Sequence, residues 1–289
     1  MSPRVKSILK DWLPPALLRL ARSAGVPGAP RGIDFVGDCA TWEEAQAQAG
    51  GYAAANILEK ARTAVLKVKN GQAACERDTV TFDHIEYSYP LLAHLLHTAA
   101  RNGNKLAVLD FGGALGSSYY QNRACLSHLD SLHWMVVEQP HFVACGTADF
   151  ADGKLSFHET IEAAAAFHAP DFILLSSVLQ YLERPIDILP SLAATGAPTL
   201  LVDRAPILPD VRTRIVVQHV PPSIYSASYP CRLYNEAEFI SLFAPQYALA
   251  DQFDANIGST IAVEGATGRY RGYLFENTAP ARPGIRSPT

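Results

Sequence analysis

The sequence predicts an α/β fold with a mainly parallel central sheet, preceded by a helical lobe. Three observations lead there. After Asn104, short apolar runs alternate with helical segments, the rhythm of βαβ units and a parallel sheet. The runs are nearly continuous in apolar residues, as strands covered on both faces must be. The first run passes directly into a glycine-rich turn and a helix start.

The chain has 289 residues, 48% of them hydrophobic and 18% charged, with a net charge of −4 and a pI near 6.1. That length suits one large domain, or one domain with an accessory lobe. The composition excludes disorder. No stretch reaches the roughly 18 unbroken apolar residues of a membrane span. The mild acidic balance argues against a broad nucleic-acid face, so no nucleic-acid partner is expected. Cys39, Cys75, Cys125, Cys145 and Cys231 are odd in number and form no CxxC. They read as isolated thiols in a reducing cytoplasm, with neither a disulfide framework nor a metal site.

Residues 1–32 read as an N-terminal helix and linker. Met1 to Ala24 sets Arg4, Lys6, Lys10, Arg19 and Arg22 around Leu13, Leu17, Leu18 and Leu20, interrupted by Pro14-Pro15. This reads as a short helix packed on the body or partly mobile, rather than a signal peptide. A weak basic amphipathic contact with a membrane surface through residues 1–24 is the alternative. Gly25 to Gly32 is the linker.

Residues 33–103 are expected to be a mostly helical cap lobe. Thr41-Trp42-Glu43-Glu44 fits a capping box. Ile57, Leu58, Ala61, Val65 and Val68 recur at helical spacing, and Asn70-Gly71 ends the helix. Leu91 to Ala100 is a further helix, ended by Asn102-Gly103.

Residues 104–277 are the expected core. Its strands are Leu106 to Leu109, Trp134 to Val137, Phe172 to Leu175 and Thr199 to Val202. Helices are expected near Ser117–Leu129, Pro140–Phe150, Thr160–His168 and Pro185–Ala194, with Pro140 and Pro185 suited to a first helical turn. Residues 211–235 break the rhythm with Pro221-Pro222, Pro230, Tyr225, Tyr229 and Tyr234, and read as an ordered lid. Asn235 restarts a helix. Tyr247 to Phe253 and Tyr270 to Phe275 read as two closing strands, and residues 278–289 as a flexible tail.

The chemistry is concentrated at the ends of the predicted strands. Leu106 to Ser118 reads Asp-x-Gly-Gly-x-x-Gly after a strand, where Gly112, Gly113 and Gly116 let the backbone approach a ligand. A pyrophosphate at the following helix would find the Asp110 carboxylate unwelcome. S-adenosylmethionine (SAM) carries no phosphate, and its ammonium and sulfonium are cationic, so Asp110 favours it. Asp110 can equally order the glycine loop. Glu138 ends the next strand at the distance where an acid accepts both ribose hydroxyls, with Gln139 beside it. Ser176, Ser177 and Val178 end a third strand and are placed to line the donor pocket, unless either serine is an ordinary helix cap. Phe157 and His158 are candidates for an adenine edge or for spacers.

The segment from about Ile33 to Asn277 resembles a bacterial family of SAM-dependent methyltransferases. The shared motifs are a DFGG-x-x-G-S-x-Y-x-Q-N loop at Asp110–Asn122, V-V-E-Q at Val136–Gln139, L-L-S-S-V-L-Q-Y-L at Leu174–Leu182 and V-P-P-S-I-Y-x-A-S-Y-P-C at Val220–Cys231. The resemblance implies the class I methyltransferase (Rossmann-like) fold, a mainly parallel seven-stranded sheet with an antiparallel last strand. Genes of such members accompany surface-polysaccharide genes, which implies a glycan-related acceptor. One departure is Ala114, where the broader class has a glycine.

Methyl transfer is an in-line displacement that chiefly needs donor and acceptor aligned at about 3 Å. A base is needed only for a hydroxyl or protonated amine. His219 is the first candidate, with Tyr225 and Asp203 as further catalytic candidates near the strand ends. Tyr229 is expected to shape the acceptor pocket. Arg204 or Arg232 could bind an anionic acceptor, and Glu76-Arg77-Asp78 could cap the donor or form a surface ion-pair cluster. The reading is therefore O- or N-methylation of a small-molecule or saccharide acceptor. The alternatives are an NAD- or nucleotide-sugar-binding oxidoreductase and a non-catalytic SAM-binding subunit.

Overall fold

The computed structural model describes residues 33–50, 54–209, 211–221, 224, 227–255 and 260–278. The helix, linker and membrane contact expected within 1–32, the tail beyond 278, and Tyr225 lie outside the described residues.

The chain opens with β1 (Asp34–Cys39), α1 (Trp42–Gln48) and α2 (Ala54–Lys69), then a hairpin of β2 (Cys75–Arg77) and β3 (Val80–Phe82), then α3 (Tyr89–Arg101). The capping box forms: Thr41 Oγ1 accepts from the Glu44 amide at 3.2 Å, and Glu44 Oε2 accepts from the Ala40 amide at 2.8 Å. The segment read as mostly helical thus also holds three strands. In β1 only Phe35 and Cys39 are buried, and two Asp and a Gly hide its strand character.

The core follows as β4 (Lys105–Phe111), α4 (Ser117–Asn122), β5 (Ser131–Val137), α5 (Pro140–Asp149), β6 (Leu155–His158), α6 (Ile161–Phe167) and β7 (Phe172–Ser176). Two 3-10 turns, Leu179–Tyr181 and Pro185–Ile188, lead into α7 (Leu189–Ala194) and β8 (Thr199–Ile207). Then come β9 (Arg214–Val220), β10 (Ala227–Leu233), α8 (Glu236–Ser241), β11 (Tyr247–Asp254), β12 (Thr260–Val263) and β13 (Ala266–Asn277). The helix expected over Ser117–Leu129 ends at Asn122, whose side-chain amide turns back to the Ser118 carbonyl at 2.9 Å.

The central sheet runs β11-β13-β8-β7-β4-β5-β6, with β12 paired to β13. Strands β4 to β8 are parallel, and β13 is antiparallel to both β8 and β11. This is the expected mainly parallel arrangement with an antiparallel last strand, with β12 as an eighth strand beyond the seven expected. Alternate residues feed two dry layers, which is why the strands are continuous apolar runs. Leu106, Val108, Trp134 and Val136 pack with α2 and α3 residues such as Val65 and Leu95. Leu109, Met135, Ile173 and Leu175 pack on the other face, with Ile161, Leu192 and Phe239.

The region read as a lid, 211–235, is largely a β9–β10 hairpin. Strand β9 also pairs with β1, so a second sheet of order β1-β9-β10 joins the start of the chain to it. No helix among the described residues is long and apolar enough to cross a membrane.

Candidate functional site

The order of the central sheet reverses at β4, which has β5 on one side and β7 on the other. In open α/β sheets ligands bind at such a switch point, outside the carboxyl ends of the strands. Loops from β4 and β7 meet there. Gly112 has φ +73°, and a Cβ on it would lie 2.4 Å from Val178 Cγ2. Its amide donates to the Val137 carbonyl at 2.9 Å, which ties the turn to the end of β5. Ala114, in place of a glycine, adopts φ +50°, and Gly116 at +88° leads into α4.

Asp110 lies beneath the turn rather than in front of it. Its side chain is fully buried, and Oδ2 accepts from Trp134 Nε1 at 2.9 Å. A Cβ on Gly113 would come 2.6 Å from Asp110 Cγ, so only glycine lets the turn close over the carboxyl. Oδ1 is buried without a hydrogen-bond partner. Burial is the largest influence on Asp110 and pushes its pKa up to about 7, with Glu138 adding and Trp134 opposing.

Glu138 is half-buried at the end of β5. Its Oε2 accepts from the Gln139 amide at 2.8 Å, and burial raises its pKa against bonds from the Gln139 and Ala114 amides. Gln139 is exposed and caps α5. At the end of β7, Ser176 Oγ accepts from an Arg204 guanidinium nitrogen at 2.8 Å, and Ser177 Oγ accepts from Gln180 at 2.9 Å. Ser177 (φ +56°) and Arg204 (φ +61°) are both in the left-handed region, a concentration of strain of the kind found at functional crevices.

Asp203 stands beside Ser176 in the register of β7 and β8. It is buried, 3.5 Å from the Ser88 hydroxyl and 3.5 Å from Arg204 Nε, and burial raises its pKa. The structure therefore gathers Asp110, Gly112, Gly113, Gly116, Glu138, Ser176, Ser177, Val178 and Asp203 at adjoining strand ends. It does not bring His219 there. Strand β9 alternates, so Gln218 and His219 point to opposite faces, and His219 is exposed. Phe157 is buried against Gly146, and His158 bonds Ser156 at 2.9 Å, so both act in packing. Arg232 donates to the Leu182 and Glu183 carbonyls, each at 2.9 Å, and so braces a loop.

Further groups stand near the crevice: Glu76 and Tyr229, which the sequence singles out, and Tyr181 and Gln218, which carry no sequence signal. Glu76, on the β2–β3 hairpin, accepts from the Ser117 hydroxyl and, at 2.6 Å, from the Thr79 amide. Tyr181 donates to Gln218 Oε1 at 3.2 Å, Gln218 donates to the Tyr229 hydroxyl at 3.2 Å, and the two rings meet edge-on at 5.2 Å. Gln218 is buried at the centre of this chain of bonds, while Tyr181 is exposed at one end of it. Among the described residues no cluster of three or more His, Cys, Asp or Glu is arranged to hold a metal ion.

No protein-family model matches the chain, and no curated protein matches it. Solved structures are similar to it at low identity. A SAM-dependent methyltransferase from Clostridium acetobutylicum is 10% identical with a TM-score of 0.43, over 66% of this chain and 92% of that one. The N-methyltransferase NodS from Bradyrhizobium japonicum, in complex with S-adenosyl-L-homocysteine, is 14% identical with a TM-score of 0.42, over 73% and 97%. An enzyme of a pericyclic reaction is 10% identical with a TM-score of 0.42, over 78% and 66%. With all three scores below 0.5, the functional argument rests on the chemistry of the crevice.

Proposed function

We propose that the chain is a SAM-dependent methyltransferase whose donor site is the crevice between the ends of β4, β5 and β7. The observation that carries this reading is the excess of sheltered carboxylate at the glycine turn. Asp110 keeps an unpartnered buried oxygen and lies in the field of Glu138; Glu76 and Asp203 are two further sheltered carboxyls, and Arg204 acts on Asp110, Glu76 and Asp203 alike. Such a site disfavours a pyrophosphate and suits a cationic ligand without phosphate. The donor, when bound, supplies an electrophilic methyl on a sulfonium.

The chain's own residues then bind and orient. The backbone at Gly112 and Gly113 gives close approach, because no side chain fits there. Glu138 accepts the ribose hydroxyls, with Gln139 at its side. Ser176, Ser177 and Val178 close the wall from β7. Asp203 is the carboxylate placed to accept a proton from the acceptor, since burial raises its affinity for one. His219, exposed on the far face of β9, is not used.

The acceptor in this reading is a small molecule or glycan precursor modified on oxygen or nitrogen. Tyr181 and Tyr229, held by the buried Gln218 between them, supply rings of the kind that pack on a sugar. The cytoplasm, where thiols stay reduced, suits the five free cysteines.

Calorimetry with SAM and with NAD tests the donor. Heat with SAM and none with NAD is the expected result; the reverse overturns the reading in favour of an oxidoreductase. If SAM binds but no methyl group reaches any saccharide or small-molecule acceptor, the chain is a binding subunit.

A further inference from the structure

The β2–β3 hairpin places a carboxylate beside the start of α4, where the glycine turn ends, with acceptor capacity that the fold does not use. Glu76 sits next to Ser117, the first residue of α4, and its two oxygens each accept one bond, from Ser117 Oγ and the Thr79 amide. A carboxylate offers about four lone-pair positions, so acceptor capacity remains on both oxygens. No described cation is ion-paired with it. Arg204 acts on it only from a distance, and the Arg204 guanidinium is engaged by Ser176 and Asp203. Arg77, the next residue, is turned to Glu86 at 2.6 Å. The hairpin turn itself places Asp78 (φ +51°) and Thr79 (φ +69°) in the left-handed region, and the Thr79 amide is what fixes Glu76.

A second, independent observation concerns the other side of the turn. The unpartnered Asp110 Oδ1 lies 3.0 Å from where a Cβ on Gly113 would be, directly under the backbone. A cation held at the turn would lie in the field of both carboxyls. The Gly113 backbone closes direct contact with Asp110, whereas Glu76 stands at Ser117, where the turn enters α4.

Resting on the donor reading, we infer that Glu76 is a donor-binding residue that holds the α-ammonium of the amino-acid end of SAM. The hairpin is then a clamp that recognises that end, and Ser117 and Thr79 are positioning residues that aim the carboxylate.

The test compares S-adenosylhomocysteine with its analogue lacking only the amino group, by competition calorimetry on the full chain. Wild type is expected to prefer the amine-bearing ligand by about ten- to a hundredfold, the range of a charged hydrogen bond. Glu76→Gln is expected to bind both alike, near the wild-type affinity for the analogue, and Glu76→Asp to recover part of the preference. The inference is overturned if wild type does not discriminate, if Glu76→Gln still discriminates, or if Glu76→Gln weakens both ligands by one factor, as a merely structural hairpin would. A wild type that binds neither SAM nor S-adenosylhomocysteine refutes the donor reading itself.

Discussion

Asp110→Asn probes the buried carboxyl beneath the turn. The side chain is fully buried, with Trp134 on one oxygen and nothing on the other. Burial raises its pKa from an ordinary 3.8 to about 7. In the unfolded chain Asp110 ionises near pH 4; in the fold it keeps its proton until about pH 7. Between those values the native state binds the extra proton, so stability falls as pH rises, by up to about 1.4 kcal/mol per unit. Across roughly three units the loss is on the order of 4 kcal/mol, and it is complete above pH 7. Asparagine keeps the shape and still accepts from Trp134, but has no charge to force into the dry site. In urea unfolding, the stability of the variant relative to wild type should therefore grow by on the order of 4 kcal/mol from pH 4 to pH 8. Glu76 and Asp203, also raised by burial, titrate in both proteins and largely cancel in the difference, whereas Glu138, which acts on Asp110, belongs to the measured effect. Saturating SAM should raise the wild-type midpoint more than that of the variant, because the ligand supplies the missing cation. A relative stability that stays flat across the window would refute the argument.

Three further substitutions separate the parts of the crevice. Glu138→Ala should weaken SAM binding by about 1.5–3 kcal/mol through loss of charged hydrogen bonds, read by calorimetry; an unchanged Kd would remove Glu138 from the donor site. Gly113→Ala puts a Cβ 2.6 Å from the immobile Asp110 carboxyl, and should destabilise the chain by about 1–3 kcal/mol in denaturant unfolding while weakening SAM binding; an unaltered midpoint would mean that the turn relaxes freely. Tyr181→Phe leaves the buried Gln218 Oε1 without its donor and should lower stability by about 1–3 kcal/mol; a thermal transition superimposing on wild type would show that water replaces the hydroxyl.

The sequence and the structure agree best where a signal is local. Each core strand serves two dry layers, so it is written as one apolar run, and its helix starts are marked by caps that form as drawn: Thr160 accepts from Ala163 at 3.1 Å and Asn235 from Glu238 at 3.1 Å. The glycine-turn half of the crevice follows from this, since Asp110, Gly112, Glu138 and Ser177 stand at the ends of those runs. Strand β1 could not be read this way. Its partner is β9, far along the chain, and a pairing over that separation leaves no pattern in either segment alone. The hairpin strands have three residues each, too few for a period of two to register.

The same reasoning explains why the candidate base was misplaced. Residues 211–235, read as a lid, have no faces, so only its chemistry marks His219 in the sequence. Once Arg214–Val220 is a strand, parity decides. Gln218 pairs with Tyr229 on the face that meets Tyr181, and His219 pairs with Ser228 on the other. A shift of one residue in the β9 register would exchange them, and that register is set by β1 and β10 together rather than by any motif in β9. The residues at the ends of the core strands are thus carried by contiguous motifs, while the face that β9 and β10 present to Tyr181 is selected by distant strand pairing. Substitutions in β1 that slip its register against β9 should therefore perturb the Tyr181–Gln218–Tyr229 chain while leaving the glycine turn intact.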